Sequence, residues 1–441
     1  ALTVFGLTAL ELALCLAGCL CRLALRAWLT PQSVRAWSSS PVESWTAVRE
    51  YLALRRAGVD PYDGSALHLP PLSLRLMLAA DSLLGGGDGD RAWLVLLALE
   101  LAGCLALKRL LREFGAYTLR RQAANVASYC SASVPMLLSG DSLRRLRLPV
   151  IAAYWFNPYS LVASVAEATT PLSNLVVLLC LAELCRGRVG FAAALCAAAA
   201  YHGLYPLCLI VPICLAGPAR PALLAFAGTL ACLLATSYML TGGSWAYLQS
   251  VYAFHALAPD HTPGFSLSWY LFCEAFDHFR SLFQAVFQAN LVCVLAPLAI
   301  RFRSDPCFLA VICWAYTAIF KPYCCVSEQA LIACVFIMHA QLHAHMRRAL
   351  LAIILLIVAF VLAPIMHHLW LYPGSANSNF YFAISLLHCT AMALLLYLFC
   401  IAYLKREFLL HHGPQPLKFS DGTEAKIVLQ APTVKLLFVN N

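Results

Sequence analysis

Arg347-Arg348-Ala349-Leu350-Leu351-Ala352-Ile353-Ile354-Leu355-Leu356-Ile357-Val358-Ala359-Phe360-Val361-Leu362-Ala363-Pro364-Ile365-Met366 is the stretch on which the fold turns. Two arginines precede eighteen residues that carry no charge. A helix needs roughly 20 mainly apolar residues to cross the hydrocarbon core of a bilayer, and this run, continued to Leu371, supplies them. The rest of the chain is similar in kind. Of its 441 residues 62% are hydrophobic and 12% charged, where soluble domains average about 45–50% and about 25%. So little charge cannot coat a water-soluble protein of this length, and lipid is the solvent for most of the chain. The composition excludes a soluble enzyme with a single anchor, a disordered protein and a secreted disulfide scaffold.

Apolar runs between polar punctuation begin near residues 1, 91, 148, 172, 190, 203, 221, 281, 307, 329, 349 and 380. They predict an all-α polytopic membrane protein with about 12 transmembrane helices. The net charge of +9, from 30 Lys+Arg against 21 Asp+Glu, then serves to orient it. Loops after even-numbered crossings hold Lys108, Arg109, Arg112, Arg120, Arg121, Arg144, Arg145, Arg147, Arg186, Arg188, Arg220, Arg301, Arg303, Arg347, Arg348, Lys405 and Arg406. The positive-inside rule makes these cytosolic, with both termini on that side. The 20 cysteines mostly sit singly in apolar runs, as small hydrophobes do. No clear small-residue cleavage site follows the first run, so no removable signal is expected.

The predicted organisation is a transmembrane domain over residues 1–404 and a cytosolic tail over 405–441. The first luminal loop, 26–90, carries several arginines, which a long loop tolerates. Within it, Val42 to Arg56, with Trp45, Val48 and Leu52 at helical spacing, and Pro70 to Leu84 predict amphipathic helices on the membrane surface. A second long luminal segment, 241–280, holds Trp245, Tyr247, Tyr252, Phe254, Phe265, Trp269, Tyr270, Phe272, Phe276 and Phe279. An interfacial aromatic belt is the plain expectation for most of them.

Polar groups at membrane depth are costly, and four clusters stand out. Asp60 and Asp63, then Asp88-Gly89-Asp90, could hold a divalent cation beside a sugar phosphate, or serve turns. Glu274 and His278 stand at i and i+4 on a predicted helix with Asp277 between them, which suits acid/base work or local ion pairing. His339, His343 and His345 lack the glutamate of a zinc-protease motif and are expected in the headgroup region. In His367-His368-Leu369-Trp370-Leu371-Tyr372-Pro373-Gly374-Ser375-Ala376-Asn377-Ser378-Asn379-Phe380, the small polar residues serve a turn, and two amides between Trp370 and Phe380 offer a platform for a glycan headgroup.

The last stretch, with Ser40 to Trp45, Gly58 to Gly64, Phe156 to Tyr159, Tyr201 to Pro206, Trp269 to Phe279, Phe287 to Asn290, Arg406 to Phe408 and Asp421 to Ala425, resembles the PIG-U family of GPI transamidase subunits, in register over about residues 38–430. The resemblance implies a GT-C-like arrangement with a long first luminal loop carrying surface helices, and a non-catalytic subunit in the ER membrane. Its partners would be the GPI lipid, ER phospholipids and other transamidase subunits, including the PIG-K Cys protease subunit. Matched to the family's lipid-recognising asparagines are Asn377 and Asn379, with Ser375 and Trp370 in the same loop. A second lipid-recognition segment would comprise Glu274, Phe276, Asp277, His278 and Phe279. No catalytic residue, metal or other cofactor is expected.

The residues agree with that reading, because Trp28 to Tyr51 contains no D-x-D or E-x-D and only Glu43 and Glu50 as acids. A GT-C enzyme needs a carboxylate there. The rival from the enzyme class is a GT-C mannosyltransferase using polyprenyl-phosphate mannose. A secondary transporter would favour internal repeats, and none is evident.

Overall fold

The computed structural model describes residues 8–60, 62, 67–86, 91–414, 426–429 and 434–437. Asp63, Asp88, Asp90 and the Asp421 to Ala425 motif lie outside them. The described chain is helical apart from an antiparallel pair in the tail, Lys426–Leu429 with Val434–Leu437.

Each of the twelve apolar runs carries a helix, but length and composition qualify only some of them as spans. Among the described residues Ala219–Leu240, Asp277–Phe302, Ala349–Leu371 and Ser378–His412 are long and apolar enough to cross a membrane. A fifth span results if Ala9–Trp28 and Pro31–Ser38, bent by 103°, count as one. Val189–His202, Tyr205–Ala216, Pro306–Phe320 and Val326–Met338 are shorter. The run beginning near 148 is split into Arg147–Phe156 and Pro158–Val165. Pro158 has no N–H to continue the first helix, and Asn157 restarts the second by accepting from the Tyr159 N–H at 3.0 Å.

The core forms where the short helices meet. Pro306–Phe320 buries Leu309, Ile312, Cys313 and Trp314 against Leu107 and Leu110 of Ala92–Asn125, Leu178 and Leu181 of Thr170–Arg186, and Phe399 of Ser378–His412. The cysteines are all free, and Cys104, Cys180, Cys196 and Cys334 pack here as apolar side chains. The first helix lies so close to Arg147–Phe156 that a Cβ on Gly18 would stand 2.6 Å from the Trp155 ring.

Charges inside this body are paired. Arg22 and Glu100 are bonded at 2.6 Å and both nearly inaccessible. Lys108 bonds Glu11, and Arg109 bonds Glu183. His339 corrects the headgroup expectation: it is 3% exposed, bonded through Nδ1 to the Val335 carbonyl at 2.9 Å, and held against Phe114 and Phe399.

Loops expected on one side of the membrane gather at one end. At the long-loop end the Trp45 N–H donates to the Glu167 carbonyl (3.1 Å), Ser250 to the Leu67 carbonyl (2.6 Å), Ser268 to the Pro322 carbonyl (2.7 Å) and the Tyr381 hydroxyl to the Trp37 carbonyl (3.1 Å). At the opposite, basic end Arg121 bonds both Asp305 and Glu407 at 3.1 Å, and the Cys130 N–H donates to the Leu410 carbonyl at 2.8 Å. The last long helix does not stop at 405 but continues to His412.

The two predicted loop helices exist as Trp45–Arg56, capped by Ser44, and Pro71–Leu83. Their apolar faces do not lie on lipid. Trp45, Val48, Tyr51, Leu74 and Met77 pack with Val95, Leu96, Tyr247 and Val251, so the loop is a lid of protein on protein. The belt expectation for 241–280 fails for half of its aromatics, because Tyr247, Phe254, Phe265, Trp269 and Phe272 are buried, whereas Trp245, Phe276 and Phe279 are exposed.

Candidate functional site

Ala349–Leu371 and Ser378–His412 form an antiparallel pair whose connecting turn, at the long-loop end, carries the predicted amides. The turn explains its own composition. Gly374 sits at φ +66°, where a Cβ is unfavourable. The Ala376 N–H and Ser375 hydroxyl reach back to the Leu369 carbonyl at 3.2 and 3.5 Å. Asn377 caps the second helix, its Oδ1 accepting from the backbone N–H of Asn379 (3.1 Å) and Phe380 (3.4 Å).

Asn379 is held from outside the turn. Its Oδ1 accepts from the hydroxyl of Tyr270 in the Ser268–Glu274 helix, and the Tyr270 ring stacks on Phe382 at 4.2 Å. Trp370 stacks on Trp269 and on Tyr381, each at 6.2 Å. Trp269 is fixed by its Nε1 donating to the Gly264 carbonyl at 3.0 Å. The result is an aromatic wall below two exposed asparagines. The carbonyl oxygen of each amide is engaged within the protein, and each exposed side chain keeps an NH₂ with two donors. Such a surface can hydrogen-bond hydroxyl or phosphate oxygens and pack a sugar face against aromatic rings.

Two uncovered apolar helices continue from this platform. Along the apolar stretches of Ala349–Leu371 and Asp277–Phe302 few residues are buried. Leu350, Ile354, Ile357 and Val361 on the first, and Leu282, Phe283 and Val286 on the second, are exposed. Apolar faces of this kind need acyl chains or another helix against them.

The second predicted segment divides. Glu274 ends one helix, Ala275 and Phe276 are extended, and Asp277 begins the next. The expected i, i+4 face shared by Glu274 and His278 therefore does not exist. Asp277 pairs with Arg280 at 2.7 Å, and Arg280 Nε donates to the Phe272 carbonyl at 3.2 Å, which braces the break. Phe276 is 73% exposed, and the His278 ring lies between it and Phe279, at 6.0 and 4.1 Å. The hydrogen bond joining this segment to the asparagines comes from Tyr270, four residues before Glu274. Sequence reasoning missed that role, although Tyr270 stood in the aromatic-rich stretch and carries a hydroxyl donor.

Among the described residues no group of three or more His, Cys, Asp or Glu is arranged to hold a metal ion. Glu43, one of two acids early in the long loop, is half-buried and lies in the field of Lys321. Burial raises its carboxyl above the usual range, against the opposing charge of Lys321.

Comparison with known proteins adds a family. A family model described as GPI transamidase subunit PIG-U matches residues 15–388, most of the chain. The human protein called GPI-anchor transamidase component PIGU is 32% identical over 410 residues, covering 89% of this chain and 92% of that one. The mouse protein of the same description is equally similar. The Saccharomyces cerevisiae protein called GPI transamidase component GAB1 is 27% identical over 366 residues, 81% of this chain and 84% of that one.

Proposed function

The chain belongs to the PIG-U family of GPI transamidase subunits, and we propose that within the complex it recognises the GPI lipid and presents it for attachment to the C-terminus of precursor proteins, without performing the transfer itself. The observation that carries this is the exposed Asn377–Asn379 pair, with spare donors, set over the Trp370–Trp269 wall and continued by two uncovered apolar helices. Acyl chains would lie along those helices and the glycan would meet the amides, with Ser375 at the rim. Glu274, Phe276, Asp277, His278 and Phe279 would edge the same entrance. Holding lipid and protease subunit together converts an encounter between two partners into a step within one assembly.

The protein would reside in the ER membrane with about twelve crossings, the shorter and broken helices being completed as spans by their neighbours. The long-loop end would face the lumen and the basic end the cytosol. Partners would be the PIG-K Cys protease subunit, the remaining subunits and ER phospholipids. Glu43 weighs against the mannosyltransferase reading, since it sits in the field of Lys321, whose own ion pair is with Glu328.

The test exploits the turn. Asn377→Ser keeps a side-chain oxygen at the helix cap, and Asn379→Ala removes the second amide. Each hydrogen bond lost to the ligand is worth about 1 kcal/mol, or roughly fivefold, so the double variant is expected to attach GPI about thirtyfold less in a cell-surface reporter assay. Co-purification of the other subunits should be unchanged. Normal attachment would remove these residues from the site, and mannosyl transfer by the isolated chain would replace the whole reading.

A further inference from the structure

Arg26 ends the first helix, Arg35 lies in the helix after the 103° bend, and Arg49 lies in the first loop helix. All three converge on one carboxylate, Glu167, in the turn between Pro158–Val165 and Thr170–Arg186. Arg26 Nη2 meets Oε1 at 2.7 Å, Arg49 Nη1 meets Oε2 at 2.8 Å, and Arg35 Nη1 reaches Oε2 at 3.4 Å while also donating to Thr46 at 2.8 Å. The second Arg49 nitrogen reaches Oε1 at 3.4 Å.

The charge does not balance. Three guanidiniums carry +3 and Glu167 supplies −1, and no other carboxylate bonds any of the three among the described residues. The donors do not balance either. Three guanidinium groups offer about fifteen N–H bonds to the roughly four lone-pair sites of a carboxylate, and Arg26 Nη1 is buried with no acceptor at all. Glu167 is also one of two described non-glycine residues at positive φ, +57°, so the acid is held in a conformation that favours glycine. Burial alone would raise its pKa, but hydrogen bonds and charges from Arg49 and Arg26 outweigh that and hold it below the usual carboxylate range.

The cluster stands where the first apolar helix ends and bends by 103°, the level at which lipid phosphates would lie if that helix crosses the bilayer. The arginine side chains are 18–38% exposed and the glutamate is 2% exposed, so the cations, not the acid, face outward. We infer that Arg26, Arg35 and Arg49 form a binding site for the phosphate of an anionic membrane-lipid headgroup, with Glu167 as the internal counter-charge that positions the three forks. Guanidinium forks match phosphate oxygens in pairs. The site is separate from Asn377 and Asn379 and does not depend on them, although the Pro31–Ser38 helix touches both through Arg35 and through the Trp37 carbonyl that accepts from Tyr381.

The test uses the intact subunit complex in nanodiscs of phosphatidylcholine doped with phosphatidylinositol, with retained lipid counted by native mass spectrometry. Phosphatidylinositol should be retained over phosphatidylcholine. Arg26→Gln with Arg49→Gln should lower its occupancy by about tenfold or more, at about 1 kcal/mol per basic residue near a membrane surface. Glu167→Gln removes the competing internal anion and should raise retention. A purely structural staple would make both variants lose lipid together, and that outcome, or no change in either, overturns the site. If added inorganic phosphate strips the lipid and stays bound itself, the lipid assignment falls. Asn377→Ser with Asn379→Ala should leave phosphatidylinositol retention untouched, which separates failure here from failure of the glycan platform.

Discussion

Arg22→Met is expected to lower the thermal stability of the folded protein sharply. The Arg22 guanidinium meets Glu100 at 2.6 Å, donates to the Trp155 carbonyl and the Ser160 hydroxyl at 2.7 Å each, and lies 4.6 Å over the Trp155 ring. One side chain thus ties the first helix to Ala92–Asn125, Arg147–Phe156 and Pro158–Val165. Methionine fills much of the volume but leaves Glu100 ionisable, 5% exposed and without its cation. Breaking a buried pair from one side costs about 3–5 kcal/mol, a large share of a total stability of about 5–15 kcal/mol. Fluorescence-detected size-exclusion chromatography after a thermal ramp should show the monodisperse peak lost at a temperature at which wild type survives. Arg22→Met with Glu100→Leu removes both charges and should recover most of that loss. If the single variant melts like wild type, the pair does not hold the helices.

Lys321→Met should have an effect of the same order by a different route. Lys321 closes Pro306–Phe320, and its ammonium bonds Glu328 in the first turn of Val326–Met338. The other Glu328 oxygen accepts from Trp314 Nε1 at 2.8 Å. The pair shuts the loop 321–325, on which the second long segment rests through Ser268 to the Pro322 carbonyl (2.7 Å) and the Asp260 N–H to Tyr323 (3.0 Å). Without the lysine, Glu328 and Glu43 face each other's field with no cation between them. A loss of about 3–5 kcal/mol is expected, together with release of the segment that carries Trp269 and Tyr270. Limited proteolysis should then cut within 258–268 far faster than in wild type. Adding Glu328→Gln, which keeps the Trp314 acceptor and discards one buried charge, should restore part of the protection. Wild-type proteolysis in Lys321→Met would show that the loop is held otherwise.

What the sequence made legible was whatever rests on runs and local signals. Apolar length marked where each helix begins, the spacing of Trp45, Val48 and Leu52 and the run from Pro70 marked the loop helices, and Gly374 with Asn377 marked the turn before Ser378–His412. Residues matched by family likeness placed Asn377 and Asn379 on that turn. Hidden from the sequence was everything that depends on distant partners. Arg22 and Glu100 stand 78 positions apart, and Glu167 lies 118 from Arg49, so no periodicity links them. The break after Glu274 has neither proline nor glycine to announce it, and its brace from Arg280 to Phe272 forms only once the chain has folded. His339 looked interfacial because Arg347 and Arg348 follow it, yet three phenylalanines from other helices enclose its ring.

Ser378–His412 runs unbroken for 35 residues, about 52 Å at 1.5 Å per residue, against a hydrocarbon core of about 30 Å. Its first residue follows the capping Asn377, and its last turns are moored by Arg121 to Glu407 and by Cys130 to Leu410. A rod that outreaches the oily layer cannot bob freely in it once one tip is tied down. On the proposed reading, the mooring at the basic end would work as a depth gauge, setting how far the asparagine tip stands proud of the far leaflet and hence at what height a headgroup would be met.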